Sequence, residues 1–190
     1  MDAPTEPADV VATAAQLLLE QGTEPAAKHL IDSYPSRRPD DFKRRSWTKK
    51  DLARIFGRDR YRDRYSGSRL VFPGALRLLT LKLGDAFPYH PNWKQSETHP
   101  AYWDLSPTID HIEPLGRGGQ DVEDNIATTS MLMNSAKSNW RLDELRWTLR
   151  PVPASDEGWD GMTGWFRAMV ERDPKVLLDA SVADWSRALA

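Results

Sequence analysis

With 190 residues, 39% of them apolar and 28% charged, the chain has the composition of a folded globular protein and length for one domain of ordinary size. The absence of cysteine excludes disulfides and thiolate metal sites, and no apolar run approaches the ~20 residues needed to span a bilayer. The net charge is only −2, but residues 37–82 hold fifteen Lys or Arg against five acids, a local +10 for which a polyanion is the natural partner. The alternative is a solvated basic face neutralised by the acidic segments around it. The opening MDAPTEPADVV is acidic and contains Pro, unlike a signal peptide, so a cytoplasmic protein with no membrane partner is expected.

In chain order, residues 8–21 predict a helix, with Val11, Ala14, Ala15, Leu18 and Leu19 at helical spacing and Gly22 as its stop. A short helix is expected over 25–34, followed by the charged connector PSRRPDDFKRRS. Thr48 can cap a helix over 49–56, with Asp51 three residues on as in a capping box. RDRYRDRYSGSRLVF suggests a strand or hairpin turning at Ser66-Gly67. Such a strand would set Arg58, Arg60, Arg62 and Arg64 on one face, as candidate phosphate contacts; pairing with Asp59, Asp63 and acidic segments is the alternative. Pro73 suits the first turn of a helix ending before Gly84. Residues 85–108 read as a long loop pinned by Trp93, Tyr102 and Trp103. Its His90 and His99, both before Pro, suit loop-fixing hydrogen bonds better than catalysis, and His29 suits a structural or surface role. Strands over 108–113 and 125–129 flank a glycine-containing loop, and Ser130 can cap a helix over 131–140. Further helices are expected near 143–147, 161–172 and 175–189, with Trp159, Trp165 and Trp185 in the core.

The segment TIDHIEPLGRGGQDVEDNIATTSMLMNSAKSNW carries the chemistry. Its strand, loop, strand and helix fold into a compact ββα unit whose cleft would gather Asp110, His111, Asn125 and Asn134. Lys137 shares a helix face with Asn134 and is expected to face substrate, and Arg117 is a further candidate contact. Hydrolysis of a phosphodiester requires a base for water and positive charge for the phosphoryl and leaving oxygens. Histidine suits the first task, and a hard divalent cation on Asp and Asn oxygens suits the second.

This segment resembles the HNH (ββα-metal) endonuclease family, in a His-Asn-Asn variant. The matching residues are Asp110, His111, Ile112, Pro114, Gly118, Gly119, Asn125, Asn134 and Lys137. The resemblance covers residues 108–140 closely and 60–72 loosely. It implies metal ligation by Asp110 and Asn134, activation of water by His111, and orientation of His111 by Asn125. It also implies magnesium as the ion, with manganese as a substitute, DNA as substrate, and products with a 5′-phosphate and a 3′-hydroxyl. Many members bind a structural zinc through two Cys pairs. Here those positions read as Asp63, Ser66, Ser130 and Met133, so no structural zinc is expected. Packing of Tyr65, Leu70, Met131 and Trp140 is expected to hold the unit instead.

The expected protein is therefore α+β, mainly helical with a small ββα-metal unit. A helical segment (1–36), a basic substrate-binding region (37–107), the HNH core (108–140) and a C-terminal helical segment (141–190) would together form one compact domain. It would be a DNA-cutting hydrolase with no small-molecule cofactor, and a homodimer is compatible with cutting both strands. The alternatives are a nuclease toxin with an immunity partner and a non-catalytic nucleic-acid-binding module.

Overall fold

A computed structural model describes residues 6–34, 46–154 and 158–190. The chain divides into two compact units, Met1–Lys43 and Arg44–Ala190. The connector expected over 35–46 lies, apart from Ser46, outside the described residues. No helix among those described is long and apolar enough to cross a membrane.

The first unit contains helices α1 (Pro7–Gln21) and α2 (Thr23–Ser33). Gly22, at φ 92°, ends one and starts the other, a conformation that costs glycine little. The buried residues are Val10, Ala14 and Ala26, while Val11, Leu18, Leu19 and Ile31 are exposed. The expected α1 stripe is thus only partly used.

The second unit begins with α3 (Lys49–Arg58), closed at its N-terminus by the expected capping box. Thr48 accepts from the Asp51 amide, and Asp51 accepts from the Thr48 amide. After an irregular segment, α4 (Pro73–Leu83) opens on its proline and ends at Gly84. The long stretch that follows holds two 3₁₀ turns and the short α5 (Ala101–Leu105), and is pinned as expected: Trp93 meets Tyr102 and Trp103 edge-on at 5.8 and 5.5 Å. His99 stacks on Phe87 and accepts from the Ala101 amide, while His90 accepts from the Asn92 amide, so both order the loop.

The sheet consists of β1 (Pro107–His111) and β2 (Ile126–Ser130), antiparallel with His111 opposite Ile126. Next comes α6 (Met131–Lys137), capped by Ser130 and stopped at Ser138, three residues short of the expected end. The region near 143–147 forms turns, not a helix. Then α7 (Thr163–Arg172) leads through a 3₁₀ turn to α8 (Ala180–Ala188). The single helix expected over 175–189 is broken at Asp179, whose side chain accepts from the Val182 amide and caps α8. The architecture is mostly helical with one small sheet.

The core lies between α3, α4, α7 and α8. Phe72 is fully buried, with Phe166 and Trp185 edge-on at 5.2 and 5.4 Å. Gly74 permits this approach: a Cβ there would lie 2.4 Å from the Phe72 ring and 2.9 Å from Trp185. Trp159, Trp165 and Trp185 join this cluster, as expected.

Residues 58–72 correct the expected strand. Arg60 and Tyr61 are left-handed, with φ of 54° and 49°, and the only β pairing there among the described residues is one bridge, Arg62 to Arg69. Two buried aspartates compete with a ladder for backbone donors. Asp59 accepts from the Thr128 amide (2.8 Å), from Arg58 and from Arg64. Burial would raise its pKa, but the Arg58 hydrogen bonds and the Thr128 amide outweigh that and hold the carboxyl below its ordinary range. Asp63 accepts from the amides of Tyr65 (2.8 Å), Ser66 (3.0 Å) and Ser130 (2.8 Å) and from the Thr129 hydroxyl (3.2 Å). These carboxylates fasten the irregular segment to β2.

Candidate catalytic site

The register of β1 and β2 places Asp110 and His111 at one end of the sheet, with Asn125 immediately before β2. The Ile112 amide donates to the Asn125 carbonyl at 2.9 Å, extending the pairing past the strand. The intervening loop folds around the Asn125 side chain. Its Oδ1 accepts from the Glu113 amide (2.9 Å), and its Nδ2 donates to the carbonyls of Glu113 (2.9 Å) and Gln120 (2.8 Å). Asn125 therefore fixes the loop that starts beside His111, and its three hydrogen bonds go to backbone rather than to the imidazole.

Gly119 is required by the same construction. A Cβ there would lie 1.9 Å from the Glu113 carbonyl oxygen and 3.0 Å from Asn125 Nδ2. Gly119→Ala is expected to push the loop off its staple and cost about 1–3 kcal/mol. Urea unfolding measures this; a midpoint equal to that of the parent would refute the tight approach.

The imidazole partner is Asp121. His111 Nε2 lies 2.9 Å from Asp121 Oδ1, with the two side chains 13% and 8% exposed. A carboxylate only accepts, so the ring donates through Nε2–H and its neutral form keeps the lone pair on Nδ1. Among the described residues no hydrogen bond engages Nδ1.

Asp110 is held from two sides. Its Oδ2 accepts from the Tyr65 hydroxyl at 2.6 Å and faces Lys137 Nζ at 2.8 Å. Burial, and then the charge of Asp110, raise the Tyr65 pKa, keeping its hydroxyl a donor. Lys137 is fully buried, and its ammonium also donates to the His111 carbonyl at 2.7 Å. This corrects the expectation that Lys137 faces substrate: it points inward and supports Asp110 and His111 from beneath. Asn134 is near, donating through Nδ2 to the Ile109 carbonyl at 3.3 Å.

The expected arginine row does not form. Arg58 pairs with Asp59 and donates to the Ile126 carbonyl, and Arg64 pairs with Asp59 and donates to the Arg150 carbonyl. Arg60 and Arg62 are half-buried, and Arg117 pairs with Glu144 at 3.3 Å. Elsewhere in the basic block, Lys49, Arg54, Arg77 and Lys82 meet Asp184, Glu123, Asp179 and Asp173. These contacts match the neutralised-face alternative, while Lys50 and Arg69 remain exposed.

Magnesium would need oxygen ligands here. Among the described residues no group of three or more His, Asp or Glu side chains is arranged to hold a metal. The donor chemistry nevertheless fits an ion carried by few protein ligands, because magnesium commonly takes one or two carboxylates, keeps waters and shares substrate phosphates. Asp110 has both close donors on Oδ2, and Asn134 engages only its nitrogen, so Asp110 Oδ1 and Asn134 Oδ1 are the oxygens on offer.

Sequence reading missed Asp121 and the polar role of Tyr65. An acid two residues after Gly119 was a weak signal for the first; nothing local marked the second. The expected packing set also shifts: Trp140 is half exposed, and Trp147 stands against Tyr65 at 5.9 Å. Compared with family models, characterised proteins and solved structures, the chain gives no significant match.

Proposed function

We propose that the chain is an HNH-type endonuclease that hydrolyses DNA phosphodiester bonds in the presence of magnesium, or of manganese in its place. The observation that carries this reading is the His111–Asp121 pair at the end of β1, beside Asp110 and Asn134. Asp121 sets the imidazole tautomer, and His111 Nδ1 takes the proton of the attacking water. The Asp121 carboxylate then stabilises the imidazolium, as a carboxylate oriented behind a histidine does in other hydrolytic sites.

Asp110 and Asn134 would hold the ion, which when bound supplies positive charge to the phosphoryl and leaving 3′ oxygens. Lys137 and Tyr65 fix the Asp110 carboxylate, and Lys137 also fixes the backbone of His111. Asn125 holds the loop that shapes the cleft. The DNA assignment rests on the resemblance of residues 108–140 to the HNH pattern.

The test is incubation of supercoiled plasmid with the protein in magnesium, in manganese and in EDTA. Nicked or linear products in either metal, and none in EDTA, are expected. Unchanged plasmid in every condition, with a retarded complex on a gel, would instead favour a non-catalytic binding module.

A further inference from the structure

A cavity of about 420 Å³ opens in the second unit, on the other side of β1 from Lys137 and Tyr65. That volume lies within the roughly 300–1,000 Å³ typical of small-molecule sites. Its walls include Trp47, Tyr89, Trp93, Tyr102 and Trp185, and Arg77 stands among them with its guanidinium 4.2 Å from the centre of the Tyr89 ring. Ile109 of β1 and Met131 of α6 complete the side nearest the catalytic residues.

Two features bear on what this cavity can hold. Arg77 is paired with Asp179 at 3.6 Å and its side chain is 22% exposed, so the open part of its guanidinium sets one charged, hydrogen-bonding group among aromatic walls. Trp93 adopts a left-handed backbone conformation, φ 52°, which a bulky side chain rarely takes. Strain of this kind is characteristic of ligand clamps. It is borne where it presents an indole to the cavity.

We infer that this cavity seats a single unstacked nucleobase of the bound strand. The aromatic walls require a ligand with a π face. The exposed part of the Arg77 guanidinium offers N–H donors to an acceptor, such as a ring nitrogen or a carbonyl oxygen. A lipid chain would offer the Arg77 guanidinium no acceptor. A neutral heteroaromatic ring meets all of these conditions, and enzymes that draw a base from the stack hold it by such stacking and edge hydrogen bonds.

Position supplies the remaining argument. Side chains two apart on a strand share a face, so Ile109 in the cavity wall and His111 point the same way. They stand roughly 7 Å apart, about two base steps of a stacked strand. A base held in the cavity therefore belongs to a nucleotide close to the scissile phosphate, and it would set the register of cleavage. The inference rests on the nuclease reading for the identity of the strand.

The test is binding in EDTA, where no cleavage occurs. Affinities are measured by fluorescence anisotropy for a short single-stranded DNA and for an abasic sugar–phosphate strand of equal length. The parent is expected to favour the base-bearing strand by on the order of 10-fold or more. Trp93→Ala and Arg77→Met, checked for folding by circular dichroism, are expected to lose that preference and to keep abasic binding. Trp93→Phe, which keeps an aromatic face, is expected to retain most of it. Equal affinity for the two strands, no binding of either, or a full preference in folded Trp93→Ala and Arg77→Met overturns the inference. Plasmid cleavage is scored separately: cutting without a base preference removes the cavity assignment alone, and a base preference without cutting removes the nuclease reading alone.

Discussion

His111→Ala is expected to lower the rate of plasmid cleavage by roughly 10²–10⁴-fold, the range contributed by a positioned general base. The fold should survive, because the side chain makes one polar contact, to Asp121, and lies at the rim of the cleft. The loss should fall on kcat with KM little changed, since the proton moves only in the transition state. Asp121→Asn separates two roles of the carboxylate. Asparagine still offers an oxygen to Nε2–H, so the tautomer is kept, but the negative charge behind the developing imidazolium is gone. Hydrogen bonds to charged groups contribute about 1 kcal/mol more than neutral ones, so a loss approaching 10-fold is expected. Single-turnover cleavage of a labelled duplex measures both variants. Parent-like rates for His111→Ala would remove it as the base, and a loss in Asp121→Asn as deep as in His111→Ala would assign the carboxylate more than a supporting part.

What could be read beforehand follows from the range of the interactions involved. The capping box of Thr48 and Asp51 spans three residues, and α4 is bracketed by Pro73 and Gly84; such features need no tertiary contact to be seen. The strands and the loop of the ββα segment were placed to within two residues because their alternation and turn residues are contiguous. Residues 58–64 misled because alternation of Arg with Asp and Tyr satisfies a strand pattern, whereas the fold turns on where two carboxylates find amides 67 and 69 positions away. Lys137 misled for a related reason. Its helix face was correctly shared with Asn134, but only the packed structure shows that face turned toward Asp110. The Asp121 partnership depends on the path of the loop that Asn125 holds, which no local pattern encodes.

The largest stability effect is expected at Asp63. Its carboxylate is buried and accepts four hydrogen bonds, two from the Tyr65 and Ser66 amides and two from Thr129 and Ser130. It thus joins the turn at Ser66-Gly67 to the end of β2. Hydrogen bonds to a charged group contribute about 1.5–3 kcal/mol each, and the four are not additive because they share one carboxylate. Asp63→Ala would leave the Tyr65, Ser66 and Ser130 amides without this acceptor in a place where water does not reach easily. A loss of about 5 kcal/mol is expected, comparable to the whole stability of a marginal domain. Asp63→Asn should fall between, since its oxygen can serve one side of the junction while its amino group opposes the donors on the other. Because Tyr65 is fixed through its own amide to Asp63 and through its hydroxyl to Asp110, the same substitution should also loosen the Asp110 carboxylate. Urea unfolding followed by circular dichroism reads the first effect, and the metal concentration needed for half-maximal cleavage reads the second. A change in unfolding free energy below about 1 kcal/mol for Asp63→Ala, within the range of an exposed hydrogen bond, would show that the junction is held by packing rather than by the carboxylate.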